Sequence, residues 1–458
     1  MNYFDYYKKN NLKRINFTKK FSFIYKIIAD EINKYLSGNS SISIHCAGHS
    51  IIVNFLKFKN AYIDEIIKEF LCLFKQNKNI QTLGKKKKIN EIIVCDLEYS
   101  SNPIEKMLNL NKLINSDGKV FIVSNNIFWN PLFKFLELLN LKFKHPRKNL
   151  ISSNFVENLC FLTDFQLVKK KRILLFPFNI FFISNFINNV VAKIPLINFF
   201  CIIQLFVLRT NKSKKLHLKN LKTSIIVPCK NEEKNISSIV KSVRKIGLST
   251  EILFGDDRSV DNTMNEIKKN LIETKDIKIR HYEGPGVSKS ENVYKGFNLA
   301  TGDILIIHDA DNCVSFSELD FMIKTLIDRK LELVIGTRFI YPMEKNAMNN
   351  FNYIGNIFFS YIFSFLLNQK VTDTLCGTKI LFKKDWLKIR KYCGTWGLKD
   401  RWGDFDLLLG AKQNFLKIAE IPVNYKERTE EKSKMTNIFS NGLRMLSISI
   451  ISFFKLRF

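Results

Sequence analysis

The sequence predicts an α/β protein made of two doubly wound domains. Two observations lead there. Short apolar strands alternate with stretches of helical spacing in both halves of the 458-residue chain, the order that builds parallel sheets flanked by helices. In the later half, three such strands end on acids: Glu251–Gly255 on Asp256-Asp257, Ile304–His308 on Asp309-Ala310-Asp311, and Ser224–Pro228 shortly before Glu232-Glu233. Ligands of open α/β sheets sit beyond the carboxyl ends of strands. Asp309 and Asp311 there can hold a hard divalent cation that clamps a diphosphate; a solvated turn is the plainer alternative.

Length and composition narrow the classes. A chain this long exceeds one ordinary core, and 46% hydrophobic and 13% aromatic residues indicate a folded protein rather than disorder. The formal charge of +30 is compatible with nucleic acid, an anionic membrane or an anionic substrate. Zinc-finger spacing, RNA-binding aromatic signatures and a basic helix are missing, so no nucleic-acid partner is expected. Nine scattered cysteines without a Cys-x-x-Cys pair fit a reducing cytoplasm better than a disulfide framework or a zinc site. No signal-peptide core follows Met1.

Taken in order, residues 1–209 form the first domain. Phe21, Ile24, Ile27, Ile28, Ile32 and Leu36 predict a helix; Ser41–Ile44 a strand; Glu91–Cys95 a buried strand ending on Asp96; and Asp117-Gly118 a turn into a strand over Lys119–Val123. Ile173–Leu208 is the most apolar stretch. Its asparagines, Lys193 and Pro195 break any clean membrane span, so buried helices are expected, with an interfacial segment as the second reading. Residues 210–222 are lysine-rich and polar, and read as a linker. The second domain covers 223–436, with helices opening near Glu233 and after Arg258–Thr263. Residues 437–458 read as an amphipathic helix with Leu443, Leu446, Ile450 and Phe453 on one face, either packed on the domain or lying on an anionic membrane.

The first domain resembles class I S-adenosylmethionine-dependent methyltransferases, on Ser43–Gly48 at the position of the family's glycine-rich loop, Asp64 where an acid holds the ribose, and Leu113–Val120 at its late loop and strand. The resemblance implies S-adenosylmethionine as cofactor at Gly48 and Asp64. The loop departs from the pattern, since His45, Ala47 and His49 stand where glycines let backbone amides approach. A scaffold that kept the fold and lost methyl transfer is therefore expected.

The second domain resembles family 2 glycosyltransferases of GT-A fold, in the dolichyl-phosphate mannosyltransferase-like branch. Carrying the resemblance are Val227-Pro228-Cys229-Lys230-Asn231-Glu232-Glu233, Asp256–Thr263, Lys289–Gly302, Asp309-Ala310-Asp311, Gly336-Thr337-Arg338, and the segment through Arg428 and Lys434. Glu430-Glu431-Lys432 departs from the glycine usual in that last segment. Ala347–Asn349, Gly355-Asn356, Asp373–Lys379 and Gly403–Asp406 resemble proteins that fuse both domains.

The resemblance implies a metal-dependent inverting transferase using Mg²⁺ or Mn²⁺ and a nucleoside diphosphate sugar. The acceptor is a polyprenyl phosphate or a glycan or lipid hydroxyl. Pro228, Glu232, Asp256, Asp257, Lys289 and Asp309 would line the donor site, with Asp309 and Asp311 on the metal. Arg338, Arg428 and Lys434 would face the diphosphate or the acceptor phosphate. Asp404 and Asp406 are the catalytic candidates alongside Arg338, with Asp373 in reserve: a hydroxyl acceptor needs a base, whereas a lipid phosphate arrives ionised. Arg338 and Arg428 also fit exposed surface cations, and Asp404 after Gly403 also fits a helix N-cap. Trp396 and Trp402 fit sugar stacking or packing. The expected location is cytoplasmic, with attachment to the inner face of the membrane as the further reading. A bifunctional enzyme that also methylates, and a non-catalytic scaffold, remain as alternatives.

Overall fold

The computed structural model describes residues 19–38, 40–45, 49–63, 80–82, 88–140, 149–180, 182–210, 216–342, 348, 350–425 and 438–457. Its contacts divide the chain into two units, the first ending at Lys214 and the second starting at Lys215.

In the first unit the elements run α1 (Ser22–Asn33), β1 (Ser41–His45), β2 (Asn60–Ile63), β3 (Ile80–Thr82), β4 (Ile89–Val94), α2 (Pro103–Leu113), β5 (Ile114–Asn125), α3 (Asn130–Leu138), α4 (Ser153–Leu162), β6 (Phe165–Ile173), α5 (Ile183–Asn189), α6 (Pro195–Asn198) and β7 (Ile203–Thr210). The seven strands order as β3-β2-β1-β4-β5-β7-β6. Strands β1 to β5 pair in parallel, whereas β7 runs antiparallel to both β5 and β6. The 3-2-1-4-5 order is that of doubly wound sheets, whose switch point lies between β1 and β4.

Period-two alternation splits the core across the two faces of the sheet. Ile93, Phe121, Leu205 and Val207 pack under α1, while Ile92, Val120, Ile122, Phe206 and Leu208 pack under α2 and α4.

Three expectations change here. Ile203–Leu208, read as part of the helical stretch, lies in a strand, Ile203–Thr210, buried along its whole length; apolar continuity does not separate a buried strand from a buried helix. Ile183–Asn189 and Pro195–Asn198 are short helices that leave much apolar surface exposed. Asp117-Gly118 does not turn the chain: β5 begins at Ile114 opposite Ile89, and a register shift between Ile89 and Glu91 absorbs the pair.

In the second unit the elements run β8 (Lys222–Cys229), α7 (Glu233–Ser242), β9 (Ser249–Asp256), α8 (Thr263–Lys269), β10 (Ile272–Glu273), β11 (Ile277–Glu283), α9 (Lys289–Leu299), β12 (Ile304–Ile307), α10 (Phe316–Asp328), β13 (Leu333–Thr337), α11 (Asn350–Leu367), β14 (Lys379–Phe382), α12 (Lys383–Ile389), α13 (Asp404–Gln413), β15 (Ile418–Pro422) and α14 (Ile438–Arg457). The sheet order is β10-β11-β9-β8-β12-β14-β13-β15. β11, β9, β8 and β12 are parallel, and β14 runs antiparallel to β12 and β13. The sheet is thus mixed rather than simply doubly wound. Its switch point falls between β8 and β12, beside Pro228 and His308.

One face packs Leu253, Leu305 and Leu381 under Phe297, Phe363 and Phe405. The other packs Ile225, Phe254 and Ile306 under Ile236, Leu319 and Met322. The tail helix α14 packs on α11, with Phe453 stacked on Phe365 at 6.2 Å between centroids. It buries Met445, Ile448, Ser449 and Ser452, while Leu443 and Ile450 are exposed, so the buried face is rotated from the expected one. Among the described residues no helix is long and apolar enough to cross a membrane.

Phe121 is fully buried, and truncating a large core aromatic costs both transfer energy and a cavity. Phe121→Ala is expected to lower first-unit stability by about 3–5 kcal/mol, read as a drop in urea midpoint.

Candidate active site

Register sets the site. Cys229 lies opposite Asp256, Tyr282 opposite Gly255, and Ile307 opposite Ile226, so four parallel strands end along one edge. β12 stops at Ile307, opposite Ile226, so Pro228 has no β12 partner for its missing N–H.

The loops beyond this edge are tied to one another. Asp256 accepts from the Ser259 hydroxyl, and Ser259 Oγ accepts from Asn231 N at 2.9 Å. Glu232 N donates to Thr263 Oγ1 at 2.7 Å, and Glu233 N to Asp261 Oδ2 at 3.2 Å. Asp257 Oδ1 accepts from Gly286 N at 2.6 Å. These bonds fix the Pro228–Glu233 and Asp256–Thr263 loops against each other. They also leave Asp257 as a loop-holding group buried to 6% exposure. The Glu232 carboxylate accepts from Asn235 at 2.7 Å.

Asp309 sits at the centre. Lys289, the first residue of α9, places Nζ 2.5 Å from Asp309 Oδ1. Burial works against both charges, but each outweighs it for the other: Lys289 is pushed up by Asp309 and then Asp404, and Lys289 holds the Asp309 carboxyl below its usual range. Gly377 passes so close that an added Cβ would stand 2.1 Å from Asp309 Oδ2. Asp311 Oδ1 accepts from Cys313 N at 3.3 Å. Among the described residues no group of three or more His, Cys, Asp or Glu side chains could enclose a metal. A hard cation held by one or two carboxylates plus substrate phosphates needs no such cage.

The two α13 candidates part company. Asp404 pairs with Lys379, a lysine buried in β14 that also donates to the Cys376 carbonyl. Asp406 instead accepts from Tyr294 OH at 3.0 Å and from Gly394 N at 3.1 Å. Burial, then the neighbouring Asp400, raises its pKa to about 7. The helix cap is neither of them. Asp400 Oδ2 accepts from Phe405 N and Asp406 N at 2.7 and 3.0 Å, while Gly403 at φ +85° reverses the chain before the helix. The same loop is bonded to α9: Ser290 Oγ donates to Asp400 O at 2.6 Å and Ser290 N to Arg401 O at 3.1 Å.

Arg338 is not a surface cation. Nε and Nη2 grip Asp373 at 2.6 and 2.9 Å, its own N–H adds a third bond at 3.1 Å, and its guanidinium lies 5.0 Å from the Tyr425 ring centroid. Asp373 also accepts from Asn356 at 2.7 Å, which makes the reserve base a buried counter-ion. Trp396 is buried, in keeping with packing. Gly48, Asp64, Arg428 and Lys434 lie outside the described residues. Of the methyltransferase-like loop, His45 bonds Ser43 Oγ at 3.1 Å and His49 bonds Tyr25 OH at 2.9 Å.

Lys379, Gly377, Asp400 and Tyr294 were not singled out as site residues from sequence. A lysine opening the apolar run Lys379-Ile-Leu-Phe382 was the available signal, because a fully buried cation needs a partner.

Residues 224–389 match the model of the family described as Glycosyl transferase family 2, so the second unit carries a domain of that family and the chain is a glycosyltransferase. It is 26% identical over 237 residues to a UDP-N-acetylglucosamine–dolichyl-phosphate N-acetylglucosaminyltransferase of Methanococcus voltae, covering 47% of this chain and 89% of the relative. A dolichyl-phosphate beta-glucosyltransferase of Trichomonas vaginalis is 23% identical over 244 residues, covering 50% and 71%. Among solved structures, glucosyl-3-phosphoglycerate synthase from Mycobacterium tuberculosis aligns over 52% of this chain and 81% of its own, at 13% identity and a TM-score of 0.38.

Two outcomes test the geometry. Gly377→Ala is expected to displace Asp309 from Lys289 and weaken nucleotide binding about tenfold or more, with little change in melting temperature. Asp406 keeps its proton in the folded state up to a pH of about 7 but loses it near 4 when unfolded. Its burial therefore lowers stability progressively as pH rises through that window, and the loss persists above it. Asp406→Asn should be more stable than the native chain by roughly 4 kcal/mol at pH 8 and equal to it near pH 4, read from urea midpoints.

Proposed function

We propose that the second unit transfers a sugar from a nucleoside diphosphate sugar to a polyprenyl phosphate, on a GT-A-type sheet. The observation that carries this reading is the placement of Asp256, Asp257, Asp309 and Asp311 at the ends of β9 and β12, the two strands that flank β8, with Lys289 and Asp404 at two helix starts beside Asp309. Asp256 and the Pro228–Glu232 loop would hold the nucleoside. Asp311, with Asp309, would hold Mg²⁺ or Mn²⁺ against the diphosphate, where the ion would neutralise charge on the leaving group. Lys289 supports the same role, since its charge lies beside Asp309 and is only one-third exposed.

What Asp404 and Asp406 are bonded to supports this acceptor class. Asp404 is paired with Lys379, and Asp406 is tied to Tyr294 and Gly394, so neither offers a carboxylate poised to strip a hydroxyl. An acceptor phosphate is already an anion and needs no base. The dolichyl-phosphate chemistry named for both relatives supports the same class. On this reading Asp404 positions Lys379 and Lys289, and the Arg338–Asp373 pair braces the end of β13.

In the first unit, the 3-2-1-4-5 strand order supports a methyltransferase-like scaffold, with methyl transfer itself an open second activity.

The test is a titration of the full chain with UDP, GDP, CDP and their sugar conjugates, with and without Mn²⁺, beside Asp311→Asn. Expected is binding of one nucleotide that needs the metal and falls at least tenfold in the variant. Folded protein that binds none of them would leave a non-catalytic scaffold.

A further inference from the structure

The first unit contains a cavity of about 450 Å³ between α1 and the segment that joins β6 to β7. Its charge is one-sided. Lys26, Lys34, Lys171, Arg172 and Lys193 line it against Asp30 and Glu31. Glu31 is already bonded to Lys171 at 2.5 Å and to Lys34 at 2.8 Å. Arg172 Nε is buried without a hydrogen-bond partner, and its guanidinium lies 5.1 Å from the Phe199 ring centroid. Lys193 has its pKa lowered, first by burial and then by Lys34 and Lys171, with Glu31 working the other way. The cavity lies at the carboxyl end of β6, on the side of the sheet where α/β folds receive ligands.

The joining segment has two characters. Asn179, Ser184 and Asn185 face the cavity, while their sequence neighbours Phe178, Ile183 and Phe186 are exposed. Phe182 and Leu196 are more exposed still, at 75% and 85%. This display is not a loose loop. Asn188 holds Leu175 N and Phe176 N at 2.8 and 2.9 Å, Ser184 accepts from Ile180 N at 2.7 Å, and Asn198 donates to the Arg172 and Ala192 carbonyls. A folded segment that points aromatics outward beside a cationic hollow matches the two layers of a membrane surface: acyl-chain boundary for the rings and phosphate for the cations.

We propose that this cavity receives the phosphate of an anionic membrane lipid, with Phe178, Phe182, Phe186 and Leu196 seated in the surrounding interface. The inference concerns the first unit and does not depend on the sugar-transfer reading of the second.

The test is co-sedimentation of the full chain with vesicles of phosphatidylcholine, with and without phosphatidylglycerol. The native chain is compared with Lys26→Gln/Lys193→Gln, with Phe182→Ser/Phe186→Ser, and with Lys268→Gln/Lys324→Gln, which removes two exposed cations of the second unit. Melting curves and nucleotide titration of each variant establish that it is folded. Expected is binding that requires phosphatidylglycerol, falls about tenfold or more in the first two variants and changes far less in the third. An equal fall in the third variant would mean attraction by net charge and overturn the site. Equal binding to phosphatidylcholine would overturn the headgroup. Calorimetry with inorganic phosphate separates the remaining source: phosphate binding sensitive to Lys26→Gln/Lys193→Gln, without vesicle binding, would make the cavity a site for a soluble anion and overturn the lipid assignment.

Discussion

The second unit depends on keeping Asp309 charged at the end of a buried strand, where its carboxylate is only 32% exposed. A carboxylate at the end of a buried strand would ordinarily take up a proton or draw in a counter-ion. Here the counter-ion is built in, because α9 begins at Lys289, opposite that strand end. The geometry has consequences around it. Gly377 can have no side chain, since a Cβ would strike the carboxylate. Lys379, two residues later, is then carried into the interior and needs Asp404 as its own partner. The run Cys376–Lys379 is therefore shaped by electrostatics as much as by packing.

A second arrangement of the same kind holds β13. Arg338 and Asp373 meet through two side-chain bonds and one main-chain bond, and Asn356 and the Leu375 N–H occupy the carboxylate further. Breaking one partner of so enclosed a pair leaves an uncompensated charge, which costs far more than the pair contributes when intact. Such a device specifies one arrangement of the loops it joins. It also explains why an arginine beside a strand end need not face solvent or ligand.

Much of this was legible in the sequence. The strands that run into Asp256 and Asp309 could be read because acids and prolines leave local marks, whereas the segment from Lys289 was picked out by family resemblance. Partnerships could not. Asp404 and Asp406 are two residues apart in one helical turn, which directs them to different neighbours, and only packing reveals which faces Lys379 and which Tyr294. The helix cap weighed as an alternative for Asp404 falls to another acid for a similar reason: Asp400, four residues earlier, reaches over the turn made by Gly403. In the first unit, β7 was misread because a strand buried on both faces loses the alternation that identifies strands.

The bonds from Ser290 to the carbonyls of Asp400 and Arg401 join the start of α9 to the loop that launches α13. Lys289 and Asp404 are therefore mounted on one mechanical frame, although 115 positions separate them in the chain. A molecule that settles against Asp404 and shifts this frame also shifts the cation beside Asp309. Coupling of this kind is reciprocal in free energy. Whatever factor one ligand contributes to the other's affinity, it receives back in equal measure, so the two halves of a transfer reaction on this sheet would load cooperatively or antagonistically, but not independently.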